Sequence, residues 1–85
     1  MKKFNGVELT KETIIKTRKW FAQNCLDCIE EAESGKVYVN DLEEYRKWQL
    51  EERENDLSGK NDNTFTFLQR AHFIQTGESV PMFSK

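Results

Sequence analysis

One amphipathic segment near the start of the chain limits what the protein can fold into. Between Thr10 and Gly35, apolar residues recur every three or four positions and fall on one arc of about 160° of an α-helix. Thr10 is a suitable N-cap, Glu12 lies where the helix dipole favours an acid, and Gly35 is a stop signal. The pattern therefore predicts a first helix over residues 10–34.

Two residues of this segment depart from the pattern. Trp20 falls on the polar face of the helix, where the core of a monomer does not account for it. Arg18 falls inside the apolar arc, so its guanidinium needs a carboxylate or carbonyl partner from elsewhere in the chain. Both positions predict contacts beyond those of a simple core helix.

Two further helices are predicted downstream. Asn40, with Glu43 three residues later, fits a reciprocal N-cap pattern, and Gly59 supplies a stop, which together predict a second helix over residues 40–57. That helix has few apolar positions and several opposite-charge pairs four residues apart. A third helix over residues 63–76 is apolar over more than half of its circumference, so it must be covered on more than one side.

The remaining segments carry no helical pattern. Residues 1–9 are predicted to be an extended lead-in, whose short apolar alternation matches that of residues 36–39 and allows a minimal ribbon between the two. Residues 77–85 are expected to leave the third helix and fold back. The sequence thus predicts a single small all-α domain over residues 1–85, with three helices and at most a minor two-stranded ribbon. The expected core consists of Ile14, Phe21, Ala22, Cys25, Leu26, Ile29, Leu42, Tyr45, Phe67, Leu68, Ala71 and Ile74.

Charge and hydropathy bound the class of function. The 85 residues carry a net charge of −2, which argues against a nonspecific nucleic-acid binder. The charge is segregated, with a net +4 over residues 1–26, −7 over residues 27–56 and +1 over residues 57–85. No apolar run approaches the roughly 20 residues of a membrane span, and no apolar leader follows the first basic residues. A cytoplasmic protein without a membrane segment is therefore expected.

Cys25 and Cys28 form a C-x-x-C pair and are the only two cysteines. A redox pair favours a helix N-terminus and a structural zinc site needs four ligands, whereas this pair lies within a helix among acidic residues. Both residues also fall on the apolar arc, so they are interpreted as free thiols of the core in a reducing compartment. No cofactor is expected, and a metal- or redox-linked role for the pair stays as an alternative.

His72 is the only histidine and lies at the edge of the apolar face of the third helix. It is interpreted as a partly buried residue bonded to a carbonyl or carboxylate, and the alternative is a general base or a pH switch. The sequence has no glycine-rich phosphate loop, no H-E-x-x-H pair and no calcium loop. A protein that is not an enzyme is therefore expected.

The candidate binding features are aromatic residues that the core pattern does not explain and the acidic segment over residues 27–56. Trp and Tyr are frequent in binding hot spots, and surplus apolar surface favours self-association, most simply a homodimer. An acidic surface suits a basic partner, although an acidic stretch is also typical of a helix face that only meets solvent. The candidate partner-binding residues are Trp20, Tyr45, Trp48, Glu51, Glu52, Phe73 and Phe83.

The second half of the chain carries a resemblance to a known group of proteins. The stretch NTFTFLQRAHFIQTGESV, from Asn63 to Val80, resembles the C-terminal part of small uncharacterised proteins of lambda-like phages and prophages of enteric bacteria. The earlier VNDLEEY, from Val39 to Tyr45, adds to the resemblance. It implies a bacterial host cytoplasm and a non-enzymatic binding mode similar to that of host-takeover and anti-defence factors. It assigns no role to any residue.

The expected function is binding to another protein, such as a bacterial host or defence factor. The alternative from a different class is a nucleic-acid-associated regulator that uses the basic N-terminal half of the chain. The second helix is too acidic, and the third too apolar, to serve as the recognition helix of a helix-turn-helix. The basic residues in question are Lys2, Lys3, Lys11, Lys16, Arg18 and Lys19.

Overall fold

A computed structural model describes residues 2–80 and confirms an all-α domain of three helices with a small two-stranded sheet. The sheet comes first in the chain and is followed by the helices in sequence order. The elements are β1 (Lys2–Phe4), β2 (Val7–Leu9), α1 (Lys11–Glu33), α2 (Leu42–Ser58) and α3 (Phe65–Thr76).

Each helix begins at a side-chain cap. The oxygens of Thr10, Asp41 and Thr64 accept hydrogen bonds of 3.1, 3.1 and 3.2 Å from the backbone N–H three residues further on. Thr10 is the cap that the sequence predicts. The second helix starts later than predicted, because Asp41 has the extended backbone and the accepting carboxylate of an N-cap, whereas the Asn40 side chain accepts a hydrogen bond from Tyr38. The third helix likewise begins after Thr64 and not at residue 63.

The predicted ribbon exists, but the predicted pairing is wrong. Strands β1 and β2 pair with each other in antiparallel register, so residues 2–9 form a hairpin and not an extended lead-in. Asn5 and Gly6 make the turn with φ of 53° and 77°, the left-handed backbone that a tight type I′ hairpin requires. Residues 36–39 form no strand, and the side chain of Tyr38 is 85% exposed. Pairing of β1 with β2 is favoured over pairing with residues 36–39, because a two-residue turn closes a much shorter loop and costs less conformational entropy.

The hydrophobic core lies at one end of the molecule, between the hairpin, α1 and α3. Leu9, Phe67 and Ala71 are at most 2% exposed there. The third helix is covered by α1 and by the hairpin, which accounts for its wide apolar surface. Leu9 is missing from the predicted core, because its burial depends on the hairpin. The residues packed around this cluster are Phe4, Ile14, Phe21 and Leu68.

The other end of the molecule consists of α1 packed antiparallel against α2. On α1 the buried residues are small or apolar, whereas the buried residues of α2 are Gln49 and Asp56. Leu50 and Leu57, by contrast, are 43% and 41% exposed. The inner face of α2 is therefore more polar than the sequence predicts. The predicted core residues that are only half-buried are Ile14, Phe21, Leu26, Leu42, Tyr45, Leu68 and Ile74.

The carboxylate or carbonyl partner predicted for Arg18 is the carboxylate of Asp62, in the loop between α2 and α3. The Arg18 Nε donates to Oδ1 and Oδ2 of Asp62 at 3.1 and 3.2 Å, and Nη2 also donates to Oδ2. This hydrogen bonding raises the pKa of Arg18 further, so its charge is permanent. Asn61, the preceding residue, donates to Asp56 at 2.7 Å and so fixes the same loop to α2.

The segment after α3 turns back toward that helix over the part that the structure describes. The backbone carbonyl of Glu78 lies 3.1 Å from Nδ1 of His72, and the Gln69 amide donates to the carbonyl of Val80. Residues 81–85 of the predicted tail, including the candidate Phe83, lie outside the described residues.

Candidate functional site

An arginine lies between two exposed aromatic rings on the surface formed by α1 and α3. The guanidinium carbon of Arg70 is 4.1 Å from the ring centroid of Trp20 and 5.3 Å from that of Phe73. Trp20 and Phe73 are 41% and 40% exposed, whereas Arg70 is half-buried. A cation over aromatic faces at these distances is a favourable electrostatic contact. These three residues are called the Trp20–Arg70–Phe73 cluster.

The helices position the three side chains by their own periodicity. Arg70 and Phe73 are three residues apart on α3, so they share one face of that helix. Trp20 belongs to α1 and packs edge-on against Phe21, at 5.0 Å between ring centroids. Phe21 in turn stacks on the buried Phe67 at 5.9 Å. The cluster is therefore anchored to the core while its outer surface meets solvent.

The cluster lines a groove of about 510 Å³ that also presents hydrogen-bonding groups. Amides and hydroxyls surround the aromatic rings, so the groove offers apolar contact and hydrogen bonding together. Among residues 2–80, Arg70 makes no ion pair with a carboxylate. Its charge is thus available to an incoming group. The groove is lined by Trp20, Phe21, Asn24, Thr66, Gln69, Arg70, Phe73 and Ser79.

A second pair of predicted residues lies on α2. The ring centroids of Tyr45 and Trp48 are 6.3 Å apart, and Trp48 is 57% exposed. Glu51 is exposed on the same helix, whereas the carboxylate of Glu52 accepts a 2.9 Å hydrogen bond from Asn61. Glu52 therefore fixes the loop after α2 and is only half-exposed. Of the predicted binding residues that the structure describes, Trp20 and Phe73 belong to the surface of α1 and α3, and the others lie on α2, so they do not form one patch.

The cysteine pair is held in a protonated, structural state at Cys25. Its Sγ is buried and lies 3.6 Å from Oδ2 of Asp56. Burial, followed by the negative charges of Asp56 and Glu52, raises the pKa of Cys25 to about 11. The responsible carboxylates belong to α2, and not to the acidic residues that flank the pair in the first helix. Cys25 and the half-buried Cys28 are both free thiols.

His72 is almost completely buried, at 2% exposure, and its Nδ1 faces the Glu78 carbonyl. That carbonyl is an acceptor, so the arrangement requires the proton on Nδ1. The ring also packs edge-on against Phe4, with 6.0 Å between centroids. This is the structural histidine that the sequence favours. Within the described part of the chain, no group of three or more His, Cys, Asp and Glu side chains is arranged to hold a metal ion.

The basic N-terminal half offers fewer free charges than its composition suggests. Arg18 is bound to Asp62, and the Lys16 ammonium lies 3.2 Å from the Glu12 carboxylate. The ammonium of Lys2 donates to the side chain of Asn63. The two ion pairs lower the electrostatic attraction that a phosphate backbone would experience at this end of the molecule, whereas the hydrogen bond to the neutral Asn63 amide leaves the charge of Lys2 in place.

Arg70 is the residue of the cluster that sequence reasoning missed. Its spacing of three residues from Phe73 is visible in the sequence and places both on one helix face. Its contact with Trp20 is not visible, because the two residues are 50 positions apart and belong to different helices.

The fold and the cluster together define a small three-helix domain with an N-terminal β-hairpin and one exposed aromatic and cationic groove. No protein family, curated protein or solved structure matches the chain. Among residues 2–80, none of the helices combines the length and the apolar character that crossing a membrane requires.

Proposed function

We propose that this chain is a non-enzymatic binding protein of the lambda-like phage or prophage type. It binds another protein in the cytoplasm of a bacterial host, such as a host or defence factor, through the groove around the Trp20–Arg70–Phe73 cluster. The observation that supports this function best is Arg70, which has no ion-pair partner among residues 2–80 and lies over two rings that are each about 40% exposed. Trp and Arg are enriched among the few residues that dominate binding energy at protein interfaces.

The groove also indicates the chemistry of the partner. A guanidinium that is stacked on aromatic faces keeps its N–H edge free for a carboxylate, which it binds in bidentate geometry. The rings of Trp20 and Phe73 supply apolar contact on either side of that edge. The expected partner therefore presents an acidic side chain flanked by apolar groups. The acidic second helix, with the exposed Trp48 and the half-buried Tyr45 beside it, is the second contact surface of this proposal.

The first experiment is capture of the partner from an enterobacterial lysate treated with nuclease, using the tagged chain as bait. A protein recovered near stoichiometry is identified by mass spectrometry, purified, and titrated against the bait by calorimetry. Recovery that disappears after nuclease treatment contradicts the proposal and favours the nucleic-acid-associated alternative.

Variants then assign the surface. Trp20→Ala, Arg70→Ala and Phe73→Ala are each expected to weaken the purified complex by 10-fold or more, in the range of a hot spot worth about 2 kcal/mol. Tyr38→Ala is the matched control, because this aromatic side chain is 85% exposed and lies outside the groove. Circular dichroism checks that all four variants stay helical. Equal affinity of the Arg70→Ala variant and the unmodified chain would contradict the assignment to this groove.

A further inference from the structure

The first helix extends beyond the end of the second helix, and this leaves part of one helix face uncovered. A Cβ added at Gly59, the residue that ends α2, would lie 2.7 Å from Nη2 of Arg18, so α2 ends beside Arg18. Residues 11–17 of α1 precede that point and extend about 10 Å past it. Cys25, which faces Asp56 of α2, follows Arg18 by seven residues and therefore lies on the same side of α1. The side of α1 that α2 covers further along is thus open at its N-terminal end.

A groove with an aliphatic floor occupies this open side, next to the hairpin. It has a volume of about 870 Å³, which is within the range of small-molecule sites. Three aliphatic side chains form its floor, of which Leu9 is buried, Ile14 is half-buried and Ile15 is 45% exposed. This groove is called the hairpin groove, and the other residues that line it are Lys2, Lys11, Arg18 and Asp62.

The charges along the hairpin groove favour an anionic ligand. Three cationic side chains and one carboxylate line it, and that carboxylate, of Asp62, is bound by Arg18. The Lys2 ammonium donates to the side chain of Asn63, which holds the ammonium without neutralising it. Lys11 is exposed and makes no ion pair within residues 2–80. The groove therefore combines an aliphatic floor with two ammonium groups whose charge is not compensated.

The carboxylates closest in sequence to the two lysines do not oppose this charge. Glu8 precedes Leu9 on β2, so the two side chains point to opposite faces of the hairpin. Glu12 is 3.2 Å from the Lys16 ammonium and does not line the groove.

The carboxylates at the end of α2 are likewise turned away from the groove or already bonded. Asp56 is buried against α1, and both Asp56 and Glu52 accept hydrogen bonds from Asn61. Glu51 and Glu54 are exposed and precede Asp56 by five and two residues, which places them on the side of α2 away from α1. Within the described part of the chain, Asp62 is the only carboxylate that lines the groove.

The lining of the groove suits an alkyl chain better than an extended peptide. Apart from its charged groups, the hairpin groove presents only aliphatic side chains. An extended peptide would leave backbone N–H and C=O groups without partners against such a floor, whereas an alkyl chain has no hydrogen bonds to lose. The groove around the Trp20–Arg70–Phe73 cluster differs in this respect, because amides and hydroxyls line it.

We propose that the hairpin groove binds a fatty acid. The alkyl chain lies along Leu9, Ile14 and Ile15, and the carboxylate lies between the ammonium groups of Lys2 and Lys11. Binding removes the exposed surface of Ile15 from water and pairs the carboxylate with two cations. The ligand takes the place along α1 that α2 occupies further along the helix.

The test is titration of the ¹⁵N-labelled chain with laurate below its micelle concentration, followed by NMR. Saturable shifts of amide resonances are expected at Leu9, Ile14, Ile15 and Arg18, and they give a dissociation constant. Octanoate is expected to bind at least 10-fold more weakly, because four fewer methylene groups leave water. Absence of saturable binding, or shifts confined to another surface, would overturn the proposal.

A matched pair of charge variants tests the two ammonium groups. Lys2→Glu with Lys11→Glu is expected to weaken laurate binding by at least 10-fold. Lys3→Glu with Lys19→Glu is the control, because it makes the same change of charge on the same strand and helix, at exposed positions outside the groove. Circular dichroism checks that both variants stay helical. Equal affinity of the two variants for laurate would overturn the proposal.

A ligand of opposite charge makes the same test without changing the protein. Dodecyltrimethylammonium has an alkyl chain of the same length as laurate and a cationic head group. It is expected to bind the unmodified chain at least 10-fold more weakly than laurate does, because the groove carries uncompensated ammonium groups. Equal affinity for the two amphiphiles would show binding without a role for the lysines and would contradict the proposal.

A second pair of variants tests the aliphatic floor. Ile15→Ser is expected to weaken laurate binding by at least 5-fold, since this side chain covers part of the alkyl chain. Leu50→Ser is the matched control, because Leu50 is 43% exposed, close to the 45% of Ile15, and lies outside the groove. Both sites are exposed, so both variants are expected to fold. An Ile15→Ser variant that binds laurate as tightly as the control does would overturn the assignment to this groove.

Vesicles of phosphatidylglycerol distinguish a free fatty acid from an anionic membrane surface. The unmodified chain is expected to stay in solution when the vesicles are sedimented, because its net charge is −2 and the groove accepts a single alkyl chain. Sedimentation with the vesicles, without saturable binding of laurate, would overturn the fatty-acid assignment and favour a membrane surface.

The fatty-acid site and the proposed function use opposite sides of α1, so they fail separately. Trp20 follows Arg18 by two residues, which is about 200° around the helix, and the two grooves share no lining residue among residues 2–80. Trp20→Ala and Arg70→Ala are expected to leave the affinity for laurate unchanged. A chain that binds its protein partner but not laurate would overturn the fatty-acid site and leave the proposed function supported.

Discussion

Buried polar residues decide much of the energetics of this small protein. Arg18 lies in an otherwise apolar arc of α1 and is tolerated there because Asp62 binds it through both carboxylate oxygens. Asp56 is 6% exposed and receives a 2.7 Å hydrogen bond from Asn61. Each of these contacts joins a helix to the loop between α2 and α3, so the loop is fixed by polar pairing and not by apolar packing.

Removing the partner of Arg18 is expected to destabilise the fold. Asp62→Ala leaves a half-buried guanidinium without its carboxylate, and we expect the free energy of unfolding to fall by about 1–3 kcal/mol. Urea denaturation followed by circular dichroism measures the change. The comparison is Lys16→Ala, which breaks an ion pair whose side chains are 62% and 78% exposed and is expected to cost under about 0.5 kcal/mol. An equal decrease in the free energy of unfolding of the two variants would show that the Arg18–Asp62 pair stabilises the fold no more than a surface ion pair does.

The raised pKa of Cys25 makes the stability depend on alkaline pH. The thiol ionises at its ordinary value of 9.0 in the unfolded chain but only at about 11 in the folded protein. The unfolded state thus binds fewer protons between these values, and the free energy of unfolding is expected to decrease as the pH rises from 9 to 11. Below pH 9 this contribution is fully present. Urea denaturation as a function of pH measures it, and Cys25→Ala is expected to flatten this part of the profile.

At the scale of the secondary-structure elements, local signals fix where each helix starts and stops. Thr10, Asp41 and Thr64 accept the first free N–H groups, and Gly59 and Gly77 end α2 and α3 with left-handed backbone. These signals lie within four residues of the helix ends. The sequence therefore predicts the helices to within two residues at each end. The N-cap of α2 is Asp41 instead of the predicted Asn40, because two adjacent side chains can each accept the hydrogen bond of an N-cap and the sequence does not choose between them.

Gly59 has a second constraint that Gly77 lacks. A Cβ added at Gly59 would lie 2.7 Å from Nη2 of Arg18, which Asp62 holds in place, whereas nothing lies within 4 Å of the same position at Gly77. Both residues have positive φ, so Gly77→Ala is expected to cost about 1 kcal/mol and Gly59→Ala about 2 kcal/mol or more. Thermal or urea unfolding of the two variants measures the difference. A smaller loss at Gly59 than at Gly77 would show that the Arg18 side chain moves aside freely.

At the scale of the whole molecule, the two ends differ in how they are held together. The hairpin end has a core of large apolar side chains, including Phe67 at 1% exposure. The α1–α2 end buries alanines and polar groups, and Nε of Arg53 is buried there without a hydrogen-bond partner among residues 2–80. The polar end is therefore the part of the molecule with the lower local stability.

Hydrogen exchange is expected to show this difference directly. Amides of α2 should exchange faster than those of α3 and of the first half of α1, because opening α2 exposes less apolar surface. The measurement is made by NMR on the unmodified chain. Equal protection of α2 and α3 would contradict this account.

The sequence determines the all-α class, the three helices and the need of Arg18 for a carboxylate or carbonyl partner. All of these follow from periodicity and from capping groups a few residues away. Only the tertiary structure decides that Gln49 faces α1 while Leu50 faces outward, and that Arg70 lies on Trp20. Each of these outcomes depends on which helix faces meet, and that choice depends on contacts between residues far apart in the chain. The apolar stripe of α2 is too sparse for periodicity to indicate which side is buried.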